Sequence, residues 1–335
     1  MSKFNEVIQL ESNLIELKKA LLHSQRSEAK AKFKTANLIE AVYEAASNSL
    51  LSTPRPKIVP PIKDTRKGKP EIALVHLTDW QAGKKTASYN IPTLSSRIEG
   101  MIKKVLSLTE IQRAHHPVRE CVVMLGGDMV EGLGIFPGQV YEVHAHLYEQ
   151  LFTVSQIIAQ SITTLAQNFE KVHVVCEYGN HGRLGRKGEM PGGDNIDRIA
   201  YAIAEQQVGH LTASWQSSSD WYQIVHIGEY TALLVHGDEI KSFGGNTPAF
   251  GILRKVNAWA SGVLPRFDDC YMGHWHTPMT LTMGNGHRIF VTGSPESHDE
   301  YAREFVAATG KPSQRLHFID PVRGRVAAEY VIWLD

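Results

Sequence analysis

Apolar residues recur at helical spacing through the first fifty positions, at Val7, Leu10, Leu14, Leu17 and Leu21 and again at Leu38, Val42 and Ala45. The pattern predicts an N-terminal helical arm over residues 1–50, as one long helix or two shorter ones. Ser24 to Lys34 is too polar for an unbroken heptad seam, so a weak coiled coil and a helix packed on the body both stay open. Residues 51–70 break the pattern: Pro54, Pro56, Pro60, Pro61 and Pro70 alternate with Arg55, Lys57, Lys63, Arg66, Lys67 and Lys69, which reads as an extended basic linker. From residue 71 to 335, short apolar runs alternate with helical segments. Strands are expected at Ile72–Thr78, Cys121–Leu125 and Val172–Glu177, and helices near Thr93–Ala114, Tyr141–Asn168 and Asn195–Gln207.

The second half shifts toward hairpins. Tyr222–Ile227 and Tyr230–Val235 flank Gly228-Glu229, Met279–Met283 and Arg288–Thr292 flank Gly284-Asn285-Gly286, and Leu316–Ile319 and Val326–Leu334 flank a turn at Asp320–Gly324. One further helix is expected near Pro248–Ser261. The architecture that follows is α/β: a four-layer α-β-β-α sandwich with mixed sheets, preceded by the helical arm.

Composition narrows the class. With 335 residues, 42% hydrophobic and 21% charged, the chain can bury a sizeable core. It holds no apolar run of membrane-spanning length, and its start carries charges where a signal peptide needs its apolar stretch, so a cytoplasmic protein with no membrane partner is expected. Cys121, Cys176 and Cys270 lie in apolar runs without CxxC spacing, which argues against both a disulfide framework and a thiolate zinc site. Net charge is zero, yet residues 1–70 hold thirteen Lys or Arg against seven Asp or Glu, leaving a deficit of six over the body. A carboxylate-rich body suits a cation site, and a basic arm either meets a polyanion or is simply solvated.

The chemistry sits where the strands end. LVHLTDWQAG runs into Asp79 and Gln81, VVMLGGDMVEG into Asp128, VVCEYGNHGR into Asn180 and His181, LLVHGD into His236, and CYMGHWHTP into His274 and His276. Ligands of α/β sheets gather at the carboxyl ends of strands, so these distant residues can converge. Oxygen and imidazole donors without thiolate suit Mn, Fe, Zn, Ni or Mg, and one carboxylate can bridge two ions.

In their order and spacing, GDMVE, GNH and GHWH together with Asp79 and His236 resemble the motifs of the calcineurin-like metallophosphoesterase superfamily over about Glu71 to Ser294. The resemblance implies two divalent cations, Mn foremost. Asp79 and His276 would hold the first, Asp128 would bridge, and Asn180, His236 and His274 would complete the second. His181 would face the phosphate as catalytic residue. Two departures stand out. Gln81 replaces the usual histidine of the first motif, a neutral and weaker ligand, and Gly182-Arg183 follow His181 where an acidic residue is usual. What orients His181 must come from elsewhere, with Glu177 and Asp194 as nearby possibilities.

Several other residues invite blander readings. Glu131 is expected behind the ligands or at a helix start, and His144 and His146, two apart on an expected helix, do not share a face. His115-His116 reads as a solvated helix end, and Trp80 and Trp275 as packing or rim residues with base stacking as the minority reading. The expected chemistry is phosphodiester hydrolysis by a hydrolase of this kind. A nuclease is favoured, with exonuclease and endonuclease both open, resembling the superfamily's nuclease branch and the enzymes that bacteriophages encode. Lys84, Arg183, Arg186 and Lys187 would grip phosphate, DNA would be the partner, and the N-terminal helices could join copies into a homo-oligomer. The alternatives are a small-molecule or cyclic-nucleotide phosphodiesterase or phosphatase, and a catalytically weak metal-binding scaffold.

Overall fold

The computed structural model describes residues 55–135, 139–185, 191–241, 248–296 and 311–335, together with Lys19. The expected helical arm apart from Lys19, the homo-oligomer expected through it, Arg186 and Lys187 lie outside the described residues. Residues 54–335 form one compact unit.

Parallel strands β1 (Glu71–Leu77), β2 (Val118–Leu125), β3 (Lys171–Cys176) and β4 (Ser214–Ser217) are extended by antiparallel β10 (Ser313–Asp320) and β11 (Arg325–Trp333). The order is β11-β10-β1-β2-β3-β4. A second mixed sheet has the order β5-β6-β7-β9-β8, from Tyr222–Ile227, Tyr230–Val235, Asp269–Met272, Arg288–Val291 and Met279–Thr282 respectively. Helices α1 (Ile91–Arg113), α2 (Leu147–Ala166) and α3 (Ile196–Val208) pack on the first sheet, and α4 (Ala249–Ala258) on the second.

The period-two alternation of β6 shows why two sheets pair. Ala232 and Leu234 meet Leu74, Met124 and Val175 of the first sheet, while Leu233 and Val235 turn to Ile252, Val256 and Trp259 on the outer side. Both faces are buried, so the strand reads as a continuous apolar run, and each buried Leu or Val contributes about 1.5–3 kcal/mol. The result is the expected α-β-β-α sandwich. The three cysteines are free and buried within it, and among the described residues no helix is long and apolar enough to cross a membrane.

Three local expectations differ. Helix α2 begins at Leu147, not near Tyr141: residues 139–141 make a 3-10 turn, and His144 N–H donates to the Gly83 carbonyl at 3.0 Å, drawing 142–146 along the loop after β1. His144 and His146 therefore precede the helix. Strand β4, polar and mostly exposed, carries no apolar signal, and it forms because β3 offers it an edge. Residues 55–70 have no regular structure apart from a bend, but they are held. Arg119 donates to the carbonyls of Asp64 and Arg66 at 2.8 and 3.0 Å, Asp64 N–H donates to Glu170 at 2.8 Å, and His210 meets the Pro56 carbonyl at 3.0 Å. Those anchors lie at the beginnings of β2, β3 and β4. The basic segment thus crosses the N-terminal edge of the sheet, a strand length of about 20 Å from the motif residues.

Candidate metal centre

Sharp turns at the C-terminal ends of β1, β2, β3, β6 and β7 bring the motif residues together. Asp79 (φ 55°), Gln81 (44°), Asp128 (52°), His274 (66°) and His276 (53°) are the non-glycine residues with left-handed backbone among the described residues. A side chain costs energy there, and strain of this kind persists where the surrounding structure over-determines it, as at ligand-binding sites. The close approach of the loops leaves no room for a β-carbon at Gly179, which would lie 2.1 Å from Asp128 Oδ1.

Asp128 is buried at the centre. Its Oδ1 accepts His181 N–H at 2.7 Å, and its Oδ2 lies 3.0 Å from His236 Nε2. His236 donates Nδ1–H to the Gly126 carbonyl at 2.8 Å, which turns Nε2 toward Asp128 and the Asn180 amide oxygen, 3.2 Å away. An imidazole lone pair facing two oxygens is repulsive unless a positive charge lies among them. In the metal-free protein a proton supplies it: burial opposes the charge, but Asp128 raises the His236 pKa well above the usual imidazole value. Burial likewise opposes ionisation of Asp128, yet His236 and His181 hold its carboxyl well below the usual range. His274 goes the other way, down to about 4, through burial and the His236 charge, so its lone pair is free at neutral pH. Donor atoms of Asp128, His236 and His274 lie within 4.8 Å of one another.

At the second corner, Asp79 accepts His274 N–H at 3.0 and 2.9 Å through its two oxygens and the Thr78 hydroxyl at 2.9 Å. His276 Nε2 lies 3.4 Å from Asp79 Oδ1 and 3.2 Å from Gln81 Nε2, and its Nδ1 lies 3.5 Å from Glu296. Burial disfavours the His276 charge, but Asp79 and Glu296 raise its pKa to about 10. Gln81 Oε1 is buried without a hydrogen-bond partner. An orphaned amide oxygen beside a carboxylate and an imidazole fits a divalent cation, as does the His236 corner.

His181 is oriented by Glu131. Its Nδ1–H donates to the Glu131 carbonyl at 2.9 Å and lies 3.5 Å from that carboxylate, while Nε2 is 3.9 Å from Asp128 Oδ2. Burial would lower the His181 pKa, but Asp128 and Glu131 raise it to about 9. Neither earlier possibility holds this ring: Glu177 accepts from Tyr178 N–H and Gln223, and Asp194 closes a turn on Pro191. Glu131, expected behind the ligands or at a helix start, stands beside the His181 ring.

Lys84 departs from its expected role. Its ammonium pairs with Glu296 at 2.8 Å and both side chains are buried, so it presents no cation to a phosphate. Arg183 is partly buried on the His181 loop, its backbone paired with Asn195. Trp80 is fully buried and packs, with no face left for a base. Several supporting residues escaped the sequence. Ser294 Oγ–H donates to the Asp79 carbonyl at 2.7 Å, Gln314 holds both the N–H and carbonyl of Thr78 at 2.8 and 3.1 Å, and Glu296 backs His276. Gln314 lies between Ser313 and Arg315 at the polar start of β10 and carries no distinguishing signal, whereas Ser294 and Glu296 belong to the Gly293-Ser294-Pro295-Glu296 turn that follows the last motif.

No protein-family model matches the chain. A curated relative, the SPbeta prophage-derived uncharacterized protein YonJ of Bacillus subtilis (strain 168), is 22% identical over 336 residues, spanning 96% of this chain and 80% of that protein. Among solved structures, Vps29 complexed with zinc from Entamoeba histolytica aligns at 14% identity over 78% of this chain and 99% of its own, with a TM-score of 0.33. A metallophosphoesterase from Sphaerobacter thermophilus aligns at 15% identity over 78% and 88%, with a TM-score of 0.32. In its motif order, its paired mixed sheets and the gathering of those motifs at one edge, the chain is similar to the calcineurin-like metallophosphoesterases.

Proposed function

We propose that the chain is a dinuclear metal-dependent phosphodiesterase of the calcineurin-like kind, with DNA as its favoured substrate. The observation that carries the chemistry is the convergence of Asp79, Gln81, Asp128, Asn180, His236, His274 and His276 from five strand ends, five of them in left-handed backbone. Asp79, Gln81 and His276 would hold one cation, Asn180, His236 and His274 the other, and Asp128 would bridge. When bound, the cations supply Lewis acidity toward the phosphate oxygens and the attacking water.

The chain's own groups do the rest. Glu131 fixes His181 through Nδ1–H, so the ring's movable proton is on Nε2, and the Glu131 carboxylate favours the charged ring. It is therefore equipped to protonate the leaving alkoxide. Arg183, on the same loop, supports a polyanionic substrate. Burial of Lys84 and placement of residues 55–70 at the far edge favour a second reading, a small phosphodiester substrate, since both remove positive charge from the site.

The test is hydrolysis of bis-p-nitrophenyl phosphate against p-nitrophenyl phosphate with Mn, followed by single- and double-stranded DNA. Diester and DNA cleavage is the expected result. Diester cleavage without DNA cleavage gives the second reading, and Mn binding without hydrolysis of either ester overturns both.

A further inference from the structure

Beneath the loops that carry Asp128 and Asn180 lies a carboxylate that has no place among the ligands. Asp197, the second residue of α3, is fully buried, and four backbone N–H groups converge on it. Its Oδ2 accepts from Asp128 at 2.8 Å and Gly179 at 3.0 Å, and its Oδ1 from Met129 at 3.1 Å and Val130 at 3.2 Å. Three of the donors are successive residues. Left-handed backbone at Gly127 (φ 87°) and Asp128 (φ 52°) directs them to one point, a concavity of N–H groups of the kind that binds anions. The carboxylate is itself fixed: Asp197 N–H donates to Asn195 Oδ1 at 2.8 Å, and Asn195 Nδ2–H donates to the Gly179 carbonyl at 2.7 Å. Two side chains at the start of one helix thus hold one loop by its N–H and carbonyl and the other by three N–H groups.

We propose that Asp197 is a positioning residue that locks the Asp128 loop against the Asn180 loop and so sets the spacing of the oxygen donors on which cation binding depends. The proposal rests on the metal-centre reading above and deepens it. Only a carboxylate meets the requirement. An amide of the same shape keeps one acceptor oxygen and turns an NH₂ group toward the remaining donors, so the loops must move apart.

The experiment measures Mn binding by calorimetry on folded protein, well below the unfolding midpoint, with circular dichroism as the check of folding. Asp197→Asn should weaken Mn binding by about 10–100-fold, the usual effect of removing a group that orients metal ligands. Asp269→Asn is the matched control. It alters another buried aspartate, which accepts from Tyr230 and from Arg288 N–H, away from these loops, and it should leave Mn affinity within about twofold while lowering thermal stability. If Asp197→Asn does not fold, Asn195→Ala replaces it, with a loss of several-fold expected. Unchanged affinity in a folded Asp197 or Asn195 variant, or an equal loss in Asp269→Asn, overturns the proposal. A flat isotherm from the unsubstituted chain instead overturns the metal-centre reading, and this proposal with it.

Discussion

Two buried or exposed lysine–glutamate pairs mark the two ends of the same sheet, each with an N–O distance of 2.8 Å. Lys84–Glu296, at the motif end, is 4% and 2% exposed; Lys171–Glu120, at the end crossed by residues 55–70, is 57% and 30% exposed. The surface pair is screened by solvent and self-sufficient, and contributes little. The buried pair depends on both partners, because removing either leaves a charge in the interior. The same contrast extends to the surroundings. At the far end the linker is tied by ordinary hydrogen bonds to Arg119, Glu170 and His210. At the motif end, charges lean on one another, backbone is strained at five side-chain-bearing residues, and an amide oxygen is left without a donor. Chain that satisfies itself can be altered cheaply, whereas buried charges that lean on one another cannot.

The largest test of that difference is Asp128→Ala. It removes the carboxylate between the two corners, so metal content and ester turnover should fall together to background, measured by elemental analysis beside rate. Next, His181→Ala should keep its metals while kcat falls by about 10²–10⁴-fold, as for loss of a general acid. Loss of metals in that variant would show His181 to be a ligand instead. Glu296→Gln should destabilise the fold, since the Glu296 carboxylate no longer balances the buried charges of Lys84 and His276, and chemical denaturation reads this directly. Gln81→His should tighten Mn binding by about tenfold if residue 81 reaches the ion, because imidazole is the stronger donor.

The smallest effect belongs to the far end. Glu120→Gln should cost no more than about 1 kcal/mol at neutral pH and leave turnover untouched. His173 and Lys171, against the opposition of burial, hold the Glu120 pKa down to about 2. Its contribution is therefore present above about pH 4.5, the ordinary glutamate value, and fades as pH falls toward 2, where variant and parent should unfold alike. A loss of several kcal/mol here would erase the contrast between the two ends.

The sequence by itself determined the layers and the set of candidate ligands. Strands buried on both faces must be apolar throughout, so β1, β2, β3 and β6 are legible as runs, and the glycines before each ligand announce turns that backbone sterics demand. Tertiary structure alone decided who supports whom. Glu131 behind His181, Glu296 behind His276, and Gln314 on Thr78 join residues 50, 20 and 236 positions apart, in pairs that no spacing rule relates. Lys84 shows the same limit in reverse: beside a motif in sequence, its charge is consumed by a carboxylate 212 residues away. Local sequence encodes period and turn because those depend on neighbours along the chain. Partnership of buried charges depends on which loops the packed sheets bring within a few ångströms, and burial then makes each pairing obligatory.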